Sequence, residues 1–215
     1  MKLPLITPMT PDDLDAVMEL ERRCFSDPWT RSMYLSDLTR NNLATYLVVR
    51  PPGAEKTGSQ DPAAEWTGMP PILAYGGFWL MLDEAHICTL ATHPEWRRCG
   101  LALWLMLALL ERAMARGARI STLEVRLSNR RAQHLYEKLG YQVVGRRVHY
   151  YRDGEDGLIM TTPPLTEPAM RQRLAALRAE AVARVEACLA EKAGRVVQGL
   201  AKEDLHGRFA GTNRR

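Results

Sequence analysis

The sequence predicts an α/β domain with a mixed central β-sheet flanked by helices, followed by a helical tail at the C-terminus. Three observations support this fold class. Two helical patterns precede an antiparallel pair of strands, a strand–helix–strand–helix–strand order follows, and from Thr166 the composition shifts to Ala, Arg, Glu and Leu. Alternating strands and helices are typical of α/β domains, and a hairpin within such a chain makes the sheet mixed.

The first third of the chain predicts two helices and one strand. The segment TPDDLDAVMELERRC (10–24) begins with a threonine suited to capping, a proline at the first helical position and acidic residues in the first turn. A second helix is expected in TRSMYLSDLTR (30–40), and ATYLVVR (44–50) has the pattern of a strand. Residues 51–71 are rich in Pro and Gly, so we expect a long loop between strands.

Residues 72–162 are expected to form five strands and two helices. The first two strands are expected to form an antiparallel pair that turns at Asp83 and Glu84, and Gly117 and Gly140 are expected to end the two helices. In chain order, the expected elements are the strands ILAYGGFWLML and AHICTLAT, the helix 101–115, the strand ISTLEVRL, the helix NRRAQHLYEKL, and the strands YQVVGRRVHYY and DGLIMTT.

The chain divides into a domain over residues 1–164 and a basic helical tail over residues 165–215. The tail carries ten Lys and Arg against six Asp and Glu, which accounts for the whole net charge of +4. The basic composition is therefore weak support for nucleic-acid binding by the main domain. The apolar residues of the tail fall on one helical face: Leu174, Leu177, Ala181, Val185 and Leu189. We expect this face either to meet a partner or to lie on a solvated helix, and we expect the tail to be dispensable for chemistry.

Several function classes are disfavoured by what the sequence lacks. It contains no stretch of about 18 uncharged apolar residues and no apolar signal core in its first residues, so we expect neither a membrane span nor secretion. The phosphate-binding, nucleophile-elbow and zinc-helix motifs are also absent. The cysteines are scattered, which favours reduced cytoplasmic thiols over a disulfide framework or a metal site: Cys24, Cys88, Cys99 and Cys188.

The segment PEWRRCGLAL (94–103) leads into an apolar helical run with no Ser, Thr, Asp or Asn to cap it. The free N–H groups and partial positive charge of such a helix start favour phosphate binding. Arg97 and Arg98 add charge beside it, and Gly100 and the small Ala102 would let a pyrophosphate approach the backbone. By itself the R-x-x-G-x-A pattern also fits a plain helix start with solvated arginines.

Several further stretches, taken in order, resemble a known family. They are CFSDPW, LATHPEWRRCGLA, LEVRLSN, AQHLYEKLGY, RRVHYY and DGLIM. The sequence resembles the GCN5-related N-acetyltransferase (GNAT) superfamily and, within it, the RimI-type ribosomal-protein alanine N-acetyltransferases. The resemblance covers roughly residues 3–164 and does not cover the tail. The family usually has Asn where Thr89 stands and Asp where His93 stands, and the latter change could alter the loop that follows.

The resemblance implies a GNAT fold, acetyl-CoA as cosubstrate and a role for each of several residues. Glu124 would be the general base and Tyr136 the general acid, while Asn129 would hydrogen-bond the cofactor near its thiol arm. Apart from the resemblance, Trp29 and Tyr150 are expected to line the substrate groove, although aromatic residues at the edge of the core would show the same pattern. The strand pairing with the pantetheine amides would be Leu90, Ala91 and Thr92. The segment around the pyrophosphate would be Arg97, Arg98, Cys99, Gly100, Leu101, Ala102 and Leu103.

The chemistry of acetyl transfer to an amine agrees with this assignment. A free α-amine titrates near pH 7.7–8.0, so a modest base such as Glu124 can complete its deprotonation. Tyr136 can protonate a departing thiolate, and backbone N–H groups near Ala91 can hold the oxyanion. Each side chain also has a structural interpretation: Glu124 could pair with Arg126 or Lys138 on the surface, and Tyr136 could be a core aromatic.

We therefore expect an enzyme that acetylates protein N-terminal amines, by resemblance the alanine of a small-subunit ribosomal protein. An acetyltransferase acting on lysine side chains or on a small-molecule amine is the first alternative. A non-catalytic acetyl-CoA-binding module attached to a partner by its tail is the second. We expect no metal, no direct contact with nucleic acid or membrane, and a cytoplasmic location.

Overall fold

A computed structural model describes residues 2–53 and 69–209, with side chains described as far as Lys192. One seven-stranded sheet runs through the molecule in the order β1-β2-β3-β4-β5-β7-β6. The elements are β1 (Leu5–Pro8), α1 (Leu14–Cys24), α2 (Arg31–Arg40), β2 (Ala44–Arg50), β3 (Ala74–Met81), β4 (Glu84–Thr92), α3 (Leu101–Ala115), β5 (Ile120–Arg126), α4 (Arg130–Lys138), β6 (Gln142–Arg147), β7 (Gly157–Thr161) and α5 (Pro168–Phe209).

The sheet is mixed, as the sequence predicted. Only β4 and β5 are parallel, and every other neighbouring pair is antiparallel. The parallel pairing ends at Ile87 and Leu123, although β4 continues to Thr92 and β5 to Arg126. The register of β4 against β3 also shifts at Cys88, which is the extra residue of a β-bulge. Because a bulge bends its strand, the two strands separate from this point and leave an opening in the middle of the sheet.

Helices cover both faces of the sheet and bury two hydrophobic clusters. Side chains alternate between faces along a strand, so Leu47 and Val49 of β2 join the cluster under α3, whereas Tyr46 and Val48 join the cluster under α1 and α2. The start of α3 therefore lies on a well-packed support, next to the opening between β4 and β5.

The apolar face of the tail is buried in the first of these clusters. The five residues predicted to share that face are each at most 8% exposed and pack with α3, although we had expected them to meet a partner or solvent: Leu174, Leu177, Ala181, Val185 and Leu189. Helix α5 runs antiparallel to α3, because Arg178 pairs with Glu111 in the later part of α3 whereas Arg184, further along α5, lies against Gly100 at the start of α3.

Other sequence expectations need correction. Cys99 and Cys188 form a disulfide, so the expectation of four reduced thiols is wrong for this pair, while Cys24 and Cys88 are free. Strand β6 ends at Arg147 instead of continuing to residue 151, because His149 adopts a positive φ of 50° and the Asp156 carboxylate accepts its backbone N–H.

Two further expectations concern segments of the chain. Of the predicted loop over residues 51–71, residues 54–68 lie outside the described part of the structure. No helix among the described residues is both long and apolar enough to cross a membrane.

Candidate active site

The opening between β4 and β5 exposes backbone groups of the predicted pantetheine strand. Leu90, Ala91 and Thr92 pair with β3 on one side, opposite Gly76, Tyr75 and Ala74. Their other edge faces β5 beyond the last parallel pair, where the two strands no longer bond to each other. Alternate residues of a strand direct their N–H and C=O groups to the same edge. This edge can therefore pair with the amides of an extended ligand.

The start of α3 has the free N–H groups that the sequence predicted. Gly100 is the N-cap residue, adopts a left-handed φ of 82° and makes no side-chain capping bond. The first N–H groups of a helix have no partner within the helix. Arg97 and Arg98 are exposed beside them, and among the described side chains no carboxylate lies within ion-pair distance of either. These donors fit the pyrophosphate of acetyl-CoA.

Two features of this loop were not visible in the sequence. Arg98 adopts a positive φ of 65°, a conformation that costs a residue with a side chain about 1–3 kcal/mol. A Cβ on Gly100 would lie 3.2 Å from the Arg184 Cβ and 3.3 Å from the Ala181 carbonyl oxygen. Glycine at position 100 is therefore required by its backbone conformation and by the approach of α5, in addition to any contact with a ligand.

His93 occupies the position where the family usually has Asp. Its imidazole is buried, and its Nε2 accepts a hydrogen bond from the Arg23 guanidinium at 2.7 Å. Burial, assisted by the charge of Arg23, lowers the pKa of His93, so the ring is neutral and can accept this bond. The histidine at this position thus attaches the start of the predicted pyrophosphate loop to α1.

Glu124 lies on β5 beside the opening, and its side chain is only 7% exposed. His86 Nε2 lies 3.2 Å from one carboxylate oxygen, and an Arg147 Nη atom lies 3.1 Å from the other. The hydrogen bond from His86 holds the pKa of Glu124 below its usual value although burial opposes this, and the charge of Arg147 lowers it further. Glu124 is therefore ionised at neutral pH and available to accept a proton.

The surface partners that we considered for Glu124 are both engaged elsewhere. Arg126 pairs with Asp153 and Glu155, and Lys138 pairs with Glu180. The interpretation of Glu124 as a solvated strand residue bound to Arg126 or Lys138 is therefore wrong.

Sequence reasoning missed His86 and the polar chain behind it. His86 Nδ1 lies 3.1 Å from the Thr122 hydroxyl, which in turn donates its single proton to the Glu84 carboxylate. His86 thus joins the Thr122 hydroxyl to the Glu124 carboxylate, to which Nε2 donates because a carboxylate can only accept. The available signal was polar residues at alternate positions on two neighbouring strands, Glu84 and His86 on β4 beside Thr122 and Glu124 on β5.

Tyr136 lies in the hydrophobic core and is 8% exposed, with its ring centre 5.7 Å from that of Tyr141. Burial raises its pKa well above the usual value, so the hydroxyl stays protonated throughout the physiological range. Within the described residues its hydroxyl makes no hydrogen bond. The side chain is thus a core aromatic, as the structural interpretation proposed, and it also keeps an uncommitted proton.

Asn129 caps α4, because its side-chain oxygen accepts the N–H of Ala132 at 3.2 Å. Only its amide NH₂ group is then left to donate to a cofactor. The role implied for Asn129 by the resemblance therefore requires donation and excludes a bond to that oxygen as acceptor.

The two predicted groove residues have different surroundings. The Tyr150 ring lies over the Arg147 guanidinium at 5.3 Å, and the pKa of Tyr150 is raised by burial and by the negative charge of Glu124. Tyr150 thus belongs to the Glu124 cluster. Trp29 packs on Tyr34 and Trp79, and its backbone N–H donates to the buried carboxylate of Glu21 at 2.8 Å.

The loops that carry these two residues contact each other, since Arg152 pairs with Asp27 at 3.0 Å. The segment after α1 and the segment between β6 and β7 therefore form neighbouring borders of the site. Among the described residues, no group of three or more His, Cys, Asp or Glu side chains is arranged to hold a metal ion.

Comparison with known proteins agrees with this geometry. The model of the acetyltransferase (GNAT) family matches residues 14–141. A Bacillus subtilis (strain 168) protein assigned by its name to the ribosomal protein bS18-alanine N-acetyltransferases is 38% identical over 150 residues, which cover 69% of this chain and 88% of that protein. The ribosomal protein bS18-alanine N-acetyltransferase of Escherichia coli (strain K12) is 30% identical over 74% of this chain and 96% of its own.

A solved structure extends the comparison to the fold. The crystal structure of the ribosomal-protein-S18-alanine N-acetyltransferase from Escherichia coli superposes with a TM-score of 0.62 at 28% identity, over 75% of this chain and 94% of that chain. The family model matches more than half of the chain, and the sheet opens beside a free helix start that fits a pyrophosphate. The chain therefore belongs to the GNAT family of acetyltransferases, enzymes that take the acetyl group from acetyl-CoA.

Proposed function

We propose that this protein is an N-alpha-acetyltransferase that modifies the N-terminal alanine of a small-subunit ribosomal protein of the bS18 type. The observation that carries the proposal is the ionised, nearly buried carboxylate of Glu124, placed beside the opening between β4 and β5. The names of the relatives support the choice of acceptor. A metabolite amine or a lysine side chain remains the alternative acceptor for the same scaffold.

In the proposed mechanism the chain binds, orients and moves protons. Acetyl-CoA supplies the activated acetyl group as a thioester. The N–H groups at the start of α3, with Arg97 and Arg98, hold the pyrophosphate, and the free edge of β4 near Ala91 pairs with the pantetheine arm. Backbone N–H groups of that edge stabilise negative charge on the carbonyl oxygen. Glu124 accepts the proton of the attacking amine, and Tyr136 donates a proton to the departing sulfur.

The acidity of Glu124 favours an α-amine over a lysine amine. A carboxylate whose pKa is below normal is a weak base, so it serves best where the amine is already partly neutral. An α-amine titrates near 7.7–8.0 and a lysine amine near 10.4, a difference of about 2.5 units or roughly 3.5 kcal/mol. The site is therefore suited to a protein N-terminus.

Tyr136 is a weaker acid than the sequence alone indicated. Burial raises its pKa, which makes proton donation to a thiolate less favourable. The same apolar surroundings also raise the pKa of a thiol, so the two shifts partly cancel and donation remains feasible.

We place the enzyme in the cytoplasm, where its ribosomal acceptor is made. Cytoplasmic thiols are kept reduced, so the bond between Cys99 and Cys188 would form there only under oxidising conditions. The proposed acceptor is a protein chain, and the function requires no contact with nucleic acid or membrane.

The test is a peptide panel read by mass spectrometry, with the modified nitrogen located. We expect acetylation at the N-terminus of a peptide that begins Ala-Arg, and near inertness of the same peptide with a blocked N-terminus and free lysines. Comparable turnover of the blocked peptide would establish the lysine alternative instead. Binding of acetyl-CoA without turnover of any amine would establish the non-catalytic alternative.

A further inference from the structure

One stripe of α5 faces the pyrophosphate loop. Arg184, Cys188 and Lys192 are spaced four residues apart, so they lie above one another on the same side of the helix. Each of them contacts the loop: Arg184 Nε donates to the Arg98 carbonyl at 3.0 Å, Cys188 is disulfide-bonded to Cys99, and Lys192 Nζ lies 4.5 Å from the centre of the Trp96 ring. Two turns of α5 thus pack against residues 96–99, directly before the start of α3.

Arg184 brings charge to this place that nothing in the described structure neutralises. Among the described side chains, no carboxylate lies within ion-pair distance of Arg184, whereas Arg178, nearly two turns earlier on the same helix, pairs with Glu111. Arg97 and Arg98 likewise have no carboxylate partner among the described side chains, and an Arg97 Nη atom donates to Cys24 Sγ at 3.8 Å. The Arg184 guanidinium therefore adds positive charge beside Arg98 and the positive end of α3, an arrangement that favours an anion.

We propose that Arg184 is an acetyl-CoA-binding residue that contacts the pyrophosphate together with Arg97 and Arg98. The proposal rests on the assignment of residues 97–103 as the pyrophosphate site in the proposed function. It adds a residue from α5, a helix outside the matched family region of residues 14–141. Guanidinium groups suit this role because their planar donors match phosphate oxygens and stay charged at every physiological pH.

Calorimetry of the full-length chain with three probes tests the proposal. CoA carries the pyrophosphate and a 3′-phosphate, dephospho-CoA keeps only the pyrophosphate, and pantetheine has neither. For Arg184→Gln we expect affinity for CoA and for dephospho-CoA to fall by about tenfold at low salt, equivalent to 1.4 kcal/mol, and by less at high salt. Affinity for pantetheine should change by less than about twofold, because that ligand lacks the charge that Arg184 contacts.

Two further variants separate charge from helix packing. Arg178→Gln removes a guanidinium from the same helix and should leave all three affinities unchanged. Arg184→Lys keeps the charge but loses the planar fork, and it should restore part of the lost CoA affinity. Equal thermal midpoints for wild type and variants would show that each remains folded.

The proposal is overturned if Arg184→Gln binds CoA as tightly as wild type, binds it more tightly, or loses pantetheine to the same extent. A loss that disappears with dephospho-CoA would assign Arg184 to the 3′-phosphate and overturn the pyrophosphate contact. Failure of the proposed function is separately visible, because a chain that binds CoA but acetylates no peptide still gives a readable result for Arg184.

Discussion

His86 and Arg147 contact the two carboxylate oxygens of Glu124 and keep it ionised. Its role as a base can be tested by changing Glu124 and leaving these two partners in place. Glu124→Gln keeps the shape of the side chain but cannot accept a proton. We expect kcat at neutral pH to fall by about 10²–10⁴-fold, the usual contribution of a positioned base. The loss should shrink as pH rises, since the acceptor α-amine then deprotonates without help. The measurement is a pH–rate profile for acetylation of a peptide beginning Ala-Arg.

A matched control for this variant is Glu111→Gln. Glu111 is an exposed carboxylate on α3 that pairs with Arg178, and such surface pairs contribute little. Its pH–rate profile should match that of wild type. Full activity of Glu124→Gln at neutral pH would remove Glu124 from the mechanism.

Tyr136 and Tyr141 form a second matched pair, because both rings are buried in the same core and lie 5.7 Å apart. Tyr136→Phe removes an uncommitted hydroxyl, so we expect slower thiolate departure, with the least effect at high pH where no proton is needed. Tyr141→Phe removes a hydroxyl that lies 2.6 Å from the Ser121 hydroxyl. It should lower stability by about 1 kcal/mol and leave kcat unchanged. Equal kcat for Tyr136→Phe and wild type at neutral pH would contradict the general-acid role.

At the residue level, the sequence predicted which strand or helix carries a candidate side chain better than it predicted the partners of that side chain. The placement of Glu124 on a strand was predictable because the pattern of that strand is local. Its partner Arg147 comes from β6, beyond α4 in the chain, so no local spacing points to that ion pair. His86 was missed because its bond to Glu124 depends on the parallel register of β4 and β5, which only the folded sheet sets.

At the element level, the turn between α1 and α2 depends on a buried acid. The Glu21 carboxylate accepts the Trp29 N–H at 2.8 Å and the Tyr34 hydroxyl at 3.0 Å, and burial raises its pKa despite both bonds. Because the folded state then holds this proton more tightly than the unfolded chain, the contribution of Glu21 to stability falls as pH rises above about 4.3.

Glu21→Gln should remove this part of the pH dependence. Urea unfolding measured between about pH 4 and 8 should show a smaller fall in stability with rising pH than wild type shows. Glu19→Gln on the exposed side of the same helix is the control, and it should keep the wild-type slope. Identical slopes for Glu21→Gln and wild type would show that Glu21 does not titrate differently in the folded and unfolded chains.

Elements with a clear local pattern were predicted well, and those fixed by tertiary contacts were not. The amphipathic pattern located α1, the apolar run after Gly100 located α3, and strand patterns located β2 to β7. Strand β1 (Leu5–Pro8) was not predicted, because its four residues include a proline and carry no strand pattern of their own. The end of β6 could not be read from YQVVGRRVHYY, because Asp156, which holds the backbone of His149, lies seven residues away across a turn. The opening between β4 and β5 also depends on a β-bulge at Cys88, and no residue type in that strand predicts a bulge there.

At the scale of the whole molecule, the bond between Cys99 and Cys188 joins residues 89 positions apart. A crosslink over such a distance restricts the unfolded chain and typically adds about 2–4 kcal/mol of stability. We therefore expect the free energy of unfolding of the oxidised protein, measured in urea, to fall by about 2–4 kcal/mol when reductant is added. Cys188→Ser should be less stable than the oxidised wild type and insensitive to reductant.

The two free cysteines provide the control for this measurement. The double variant Cys24→Ser/Cys88→Ser should respond to reductant as wild type does, because neither residue is in the disulfide. A wild-type protein with the same stability in oxidant and in reductant would show that this bond does not contribute to stability.

The global position of the tail was the least predictable feature. Its apolar stripe identified a helix, but a stripe does not indicate which surface will cover it. The contacts that answer the question join Leu174 through Leu189 to α3, a helix some seventy residues earlier. Such long-range packing depends on the shape of the surrounding core. From the sequence we can see that two helices each have an apolar face, but not that these two faces pack together.

The burial of α5 against α3 also orders events during synthesis. The ribosome makes α3 well before it makes the apolar stripe from Leu174 to Leu189, and a domain folds as a unit. A nascent chain therefore displays the bare apolar side of α3 until that stripe has emerged. A chain cut short before Leu174 would keep that side uncovered, and chaperones and proteases that recognise exposed apolar surface would remove it.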